Sequence, residues 1–176
     1  MEFFELIQKR RSIRAYTSQA IETEKLQAIL EAANRAPSAG NLQAYEIYMV
    51  DQPARLRALA RASLDQDIIA QAPVALVFCA HAARSSRKYG QRGASLYCVQ
   101  DATIACTFAL LAITALGLAS VWVGAFDEDG VRQAIGAGAD LRPVAILPVG
   151  YPGEQPEASS RRPRTFCVTG LAFWTN

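Results

Sequence analysis

The sequence predicts an α+β or α/β fold with a single layer of sheet between helices, and three observations carry that expectation. Segments with apolar residues at helical spacing alternate along the chain with short runs of strand character. One run, "VALVFCA" at 74–80, is continuously apolar, which suits a central strand covered on both faces. No internal repeat or boundary divides the 176 residues, a length typical of one domain, so a single domain over 1–176 is expected.

The elements follow in order. "MEFFELIQKR" places apolar residues at 3, 4, 6 and 7, a helical face leading into a basic stretch. In "SQAIETEKLQAILEAANRAP", Leu26, Ile29, Leu30 and Ala33 recur at helical spacing, with Ser18 or Thr23 as the cap and Pro37 as the stop. A loop over 37–43 opens into the strand "AYEIYMVD", which ends at Asp51-Gln52-Pro53. "ARLRALARASL" reads as a helix with a basic outer face, and Pro73 precedes the apolar strand 74–80. The segment 81–95, "HAARSSRKYGQRGAS", reads as an exposed excursion before a long helix over 97–116. A strand over 119–126, a short helix "DEDGVRQAIG", a last strand in "LRPVAILPVGYPG", a Pro/Ser-rich basic arm and a tail "FCVTGLAFW" with strand character complete the chain.

From Ala102 to Phe126 no residue is charged, a stretch longer than a membrane span requires. Gly117 divides it into a helix and a strand, each too short to cross a bilayer, and a helix apolar on nearly every face belongs in a core or beneath another subunit. The four cysteines, Cys79, Cys98, Cys106 and Cys167, lack C-x-x-C spacing and sit among apolar residues, as buried free thiols do. The N-terminus is acidic and amphipathic where a secretory signal is basic and then apolar, so a cytoplasmic location is expected. A net charge of +2 disfavours a whole-surface nucleic-acid binder and makes the arginine clusters matter locally.

Arg10, Arg11, Ser12 and Arg14 crowd three guanidinium groups and a hydroxyl into five residues, the donor chemistry that suits a phosphate. Arg161, Arg162 and Arg164 form a second cluster. Between them, Pro37-Ser38-Ala39-Gly40-Asn41-Leu42-Gln43 offers hydroxyl, amide and backbone groups for a polar planar ligand. Gly124, after Val123 in "VWVGAF", permits close backbone approach at a strand end. No dinucleotide fingerprint, P-loop or nucleophile elbow is present. The lone histidine, His81, reads as a loop residue without a nucleophile or metal partner, so a cofactor would carry the chemistry.

In order, these pieces resemble the nitroreductase family of FMN-dependent oxidoreductases. "RRSIRAY" matches that family's R-R-S-x-R-x-[FY] element and "APSAGNLQ" its A-P-S-x-x-N-x-Q loop, followed by "LGLASVWVGAF", "LRPVAILPVGYP" and a basic "RRP". The sequence departs from the family after Gln43, where Pro and an aromatic are frequent and Ala44-Tyr45 stand here. The resemblance implies a nitroreductase-like α/β sandwich with a mostly antiparallel central sheet, in an intertwined homodimer whose core is the helix 97–116. It assigns Arg10 and Ser12 to the flavin phosphate, with Arg161 and Arg162 closing on it and Arg11 also among the cofactor-binding residues, and Arg14 to the pyrimidine edge. Pro37, Ser38, Ala39, Asn41 and Gln43 would come from the partner subunit, and Val123-Gly124 would bring a backbone N–H to flavin N5. No second pyrimidine-facing lysine is evident, with Gln66 or Gln71 as the substitute, and the 84–95 excursion falls where the family varies its substrate lid.

The implied activity is a ping-pong transfer of hydride from NAD(P)H through tightly held, non-covalent FMN to an electron-poor acceptor such as a nitroaromatic or quinone. The alternatives are a flavin-binding or storage protein, or a specialised flavin dehydrogenase with its own metabolite. A third alternative is a nucleic-acid or polyanion binder using Arg84, Arg87, Lys88, Arg92 and the two arginine clusters, against which stand the low net charge and the sparse aromatics, with only Tyr89 in that segment.

Overall fold

The computed structural model describes residues 2–162. Arg164, Cys167 and the tail over 166–174 lie outside the described residues. The helices are α1 (Phe3–Lys9), α2 (Thr23–Asn34), α3 (Pro53–Ala62), α4 (Ile68–Gln71), α5 (Ala82–Arg92), α6 (Cys98–Ala115) and α7 (Glu128–Ile135). The strands β1 (Tyr45–Val50), β2 (Val74–His81), β3 (Ala119–Ser120) and β4 (Leu141–Gly150) form one sheet in the order β1-β2-β4-β3, every pair antiparallel.

The two central strands explain the two-sided apolar pattern. Side chains alternate across a strand, so Leu76, Phe78 and Ala80 of β2 join Ala145, Leu147 and Val149 of β4 in a cluster with Ile29, Ala33, Cys98, Ala102, Ala105, Ala109 and Ile113 from α2 and α6. Ala75, Val77 and Cys79 face the other way and meet Ile146, Leu56, Leu59, Val131 and Ile135 under α3 and α7. Leu76, Phe78, Ile146 and Leu147 are fully buried, each contributing about 1.5–3 kcal/mol of burial.

β4 holds two prolines although it is a central strand. Pro143 has no N–H for the ladder, and the register slips beside it: Phe78 pairs with Ala145 and Cys79 with Pro143, leaving Val144 as the bulged residue.

Four local expectations differ from the structure. Neither Ser18 nor Thr23 caps α2; Glu22 precedes it and no side chain caps the helix. The 81–95 excursion is mostly the helix α5, redirected at Gly90 (φ 56°, ψ −142°) and continued as a π turn, Gly93–Tyr97. His81 is not a loop residue: it ends β2, and its Nδ1 accepts the Arg84 N–H at 3.4 Å as the cap of α5. The strand 119–126 shrinks to Ala119–Ser120 plus an isolated pairing of Val123 with Ile146, because the Ser120 carbonyl accepts the Ile13 N–H and the chain then turns away to Ala62.

Gly117 ends α6 in a left-handed conformation (φ 74°), as expected. The continuous helical stretch Ala82–Ala115 is long and apolar enough to cross a membrane by length and composition, but one side of α6 packs on the sheet through Cys98, Asp101, Ala102, Ala105, Cys106, Ala109 and Ile113. Its opposite side carries Ile104, Leu111 and the exposed Phe108. Cys79, Cys98 and Cys106 are buried and free.

Candidate functional site

The segment after α1 is pinned by backbone bonds. Ile13 N donates to Ser120 O, Thr17 N to Tyr151 O, Gly153 N to Ala15 O, and Arg14 N to the Glu154 carboxylate. The half-buried Tyr16 hydroxyl donates to Ile13 O at 2.9 Å, and its desolvation, with Glu154 nearby, raises its pKa above the usual tyrosine range. This frame brings the two ends of the sequence together: Arg10, Arg11 and Ser12 share a concavity of about 600 Å³ with Ile7, Gln8, Ala158, Ser159 and Arg161.

Among the described residues, no carboxylate lines this concavity. Burial, then the neighbouring charges of Arg161 and Arg11, hold the Arg10 guanidinium below the usual arginine range. Like charges held together without a counter-charge stabilise an incoming anion, and the donor set of three guanidinium groups, the Ser12 hydroxyl and the Ser159 hydroxyl suits a phosphate. Arg162 follows on the same arm but is not among the lining residues, and the exposed Arg14 side chain is also outside the concavity.

The loop 37–43 is a self-bonded knot. Ser38 Oγ accepts the Gln43 N–H at 3.0 Å, and Gln43 Nε2 donates to Asn41 Oδ1 at 2.5 Å. Gly40, Asn41 and Gln43 all have positive φ (56°, 57° and 41°), a conformation that costs a non-glycine residue free energy and persists only when its surroundings enforce it. Two side chains enforce it here. Asp101, 2% exposed in α6, accepts the N–H of Ala39 at 2.8 Å and of Ala44 at 3.4 Å. Arg84 of α5 donates to the carbonyls of Gln43 and Tyr45 and pairs with Glu46. Sequence reading missed both: it gave Asp101, at the edge of the uncharged stretch 102–126, no role, and it placed Arg84 on an exposed segment.

Pro37, Ser38 and Ala39 line a largely apolar groove of about 530 Å³ with Tyr97, Val99, Gln100, Asp101, Thr103 and Ile104. Val99 also lines a smaller concavity of about 240 Å³ with Gly124, Phe126, Glu128, Arg142, Pro143 and Val144. Val123 is buried, and its N–H and C=O are both taken by Ile146. No hydrogen bond claims the exposed Gly124 N–H among the described residues. Gln66 Nε2 donates to Ala125 O at 3.1 Å, which fixes the turn next to Gly124. Among the described residues the arginine concavity shares no lining residue with the loop groove, so within one chain these two parts of the expected site lie apart.

A four-stranded antiparallel sheet between helical layers, with a cationic concavity and a largely apolar groove on the same chain, defines an α+β protein. The sequence profile of the nitroreductase family matches residues 7–66 and 59–151. The chain is 33% identical to an NADH dehydrogenase of Thermus thermophilus, over 88% of this chain and 89% of that one. It is 29% identical to an FMN reductase, with NAD(P)H, of Bacillus subtilis, over 93% of this chain and 70% of that one. An FMN-dependent nitroreductase structure from Clostridium difficile superposes with a TM-score of 0.78 at 27% identity, over 90% of this chain and 92% of that one. The chain belongs to the nitroreductase family.

Proposed function

We propose that this chain, as one domain over 1–176, is a cytoplasmic NAD(P)H-dependent flavin oxidoreductase that works as a homodimer with FMN at the subunit interface. The observation that carries the reading is the concavity of Arg10, Arg11, Ser12 and Arg161, cationic and, among the described residues, free of lining carboxylates. The relatives that resemble this chain include an FMN reductase and an FMN-dependent nitroreductase. FMN held in this site would supply the chemistry, hydride acceptance from NAD(P)H and, in a ping-pong sequence, its delivery to a quinone, nitroaromatic or similar electron-poor acceptor.

The chain's own residues bind and tune. Arg10, Arg11, Ser12, Arg161 and Arg162 would hold the phosphate, and Arg14 would place a fixed cation at the pyrimidine edge, where it stabilises negative charge in the reduced state. Pro37, Ser38, Ala39, Asn41 and Gln43 would serve the ring bound to the partner subunit. Gly124 would offer its N–H toward N5, with Val123 holding the turn through Ile146. The apolar outer side of α6, with Phe108 38% exposed, supports a subunit contact there.

An absorption spectrum of the purified protein, with release and identification of the chromophore, tests the reading. FMN at one per chain and menadione-dependent NAD(P)H oxidation are expected. FMN without turnover would make this a storage protein, and a colourless protein that refuses added FMN would refute the reading.

A further inference from the structure

Resting on the flavin reading, we propose that Lys88 and Arg92, braced on Tyr89 and Tyr97, form a cationic aromatic wall beside the 37–43 loop that selects ring compounds carrying an acidic group. The wall is built by two glycines. Gly90 redirects the chain immediately after Tyr89. Gly93 then packs so closely that an added Cβ would lie 2.6 Å from the Ser85 carbonyl oxygen and 2.9 Å from Tyr89 Cβ. The π turn that follows delivers Tyr97, whose ring meets Tyr89 edge-on at 5.2 Å between centroids.

Each cation leans on one of these rings. Lys88 Nζ lies 5.4 Å from the Tyr89 centroid, and the Arg92 guanidinium lies 5.4 Å from that of Tyr97 while its Nε donates to the Tyr97 hydroxyl at 3.0 Å. Neither pairs with a carboxylate among the described residues. From Ile68 to Gln100 the sequence contains no acidic residue. Of the carboxylates near the loop, Asp101 is engaged by the Ala39 and Ala44 amides and Glu46 by Arg84.

The wall reaches the candidate site directly. A Cβ on Gly40 would collide with the Tyr89 hydroxyl and lie 2.7 Å from Lys88 Nζ, and Tyr97 lines the same groove as Pro37, Ser38 and Ala39. Apolar lining with fixed cations at its edge suits an aromatic body with a sulfonate, carboxylate or phosphate attached. That chemistry is shared by an acidic aromatic acceptor and by the phosphates of a nicotinamide dinucleotide.

The test is calorimetric titration of the FMN-loaded protein with naphthalene-2-sulfonate and with the neutral naphthalene-2-sulfonamide. Roughly tenfold tighter binding of the sulfonate is expected, the scale of one charge-assisted hydrogen bond. The preference should shrink with added salt and vanish in Lys88→Met/Arg92→Met, whose changes are on exposed side chains. Equal binding of the two compounds by the unmodified protein overturns the proposal. So does a preference that survives in the double variant but is lost in Arg10→Met, which would place the sulfonate in the phosphate concavity. Parallel loss of NADPH affinity in the double variant identifies the dinucleotide as the natural occupant; loss confined to the sulfonate identifies the acceptor. A protein that takes no FMN yet shows the Lys88- and Arg92-dependent preference refutes the flavin reading and leaves the wall standing.

Discussion

Replacing Asp101 by Asn should loosen the loop 37–43 at its root. Asn is nearly the same size and can still accept the Ala39 N–H, now 2.8 Å from one carboxylate oxygen. Its amide nitrogen then faces the Ala44 N–H, which the second oxygen accepts at 3.4 Å, so two donors oppose each other at a site 2% exposed. A hydrogen bond to a charged group contributes about 1.5–3 kcal/mol and a buried orphaned donor costs about 1–3 kcal/mol. The longer second bond argues for the lower part of that range, so Asp101→Asn should destabilise by about 2 kcal/mol, or about 4–8 °C in Tm for a chain of this size. The assay is urea unfolding at fixed protein and fixed FMN concentration, since ligand binding itself shifts apparent stability. A variant within about 0.5 kcal/mol of the parent, with undiminished FMN affinity, would show that the loop does not depend on this tether.

Gly40→Ala combines a collision at Tyr89 and Lys88 with a positive φ, whereas Gly136→Ala meets nothing within 4 Å and pays only for its φ of 71°. Unfolding experiments should therefore find the first costlier, with the second near 1 kcal/mol. Burial pushes the Cys79 thiol up to about 12, with Cys106 also well raised. Because the unfolded thiols ionise near 8.5, this stabilisation is complete below about that pH and is lost as pH rises toward about 12. The urea midpoint should fall between neutral pH and strongly alkaline solution, and thiol reagents at pH 8 should label Cys79 and Cys106 only upon unfolding; rapid labelling of the folded protein would contradict their burial. Phe108→Asp places a charge on the outer side of α6, and sedimentation velocity should show the proposed dimer giving way to monomer, with FMN lost alongside.

Sequence reading succeeded where local pattern and tertiary role coincide. The run at 74–80 is apolar on both faces because β2 is covered on both faces, and Gly117 ends α6 as its lack of a side chain allows. It failed where structure depends on distant partners. Nothing local marks 82–92 as helical, since two serines, a glycine and several cations read as loop; packing of Gly93 against Ser85 and the tie from Arg84 to Gln43 and Tyr45 hold it. Asp101 was invisible for the same reason, because its partners are backbone amides some sixty residues earlier in the chain, |i−j| = 62 and 57. The meeting of Arg10 with Arg161 was legible only through order and resemblance, because charge clusters carry no signal of mutual proximity.

The disjoint linings of the arginine concavity and the loop groove have a genetic consequence. In the proposed dimer each flavin draws its phosphate donors from one chain and its ring loop from the other, so a chain damaged in Arg10 and a chain damaged in Asn41 are inactive for different reasons. Mixed in one dimer, they would place both lesions in one site and leave the second site intact. Half of the sites in each mixed dimer, and so about a quarter of all sites when equal amounts of the two chains pair at random, would be intact, a form of complementation that a site wholly within one chain does not permit.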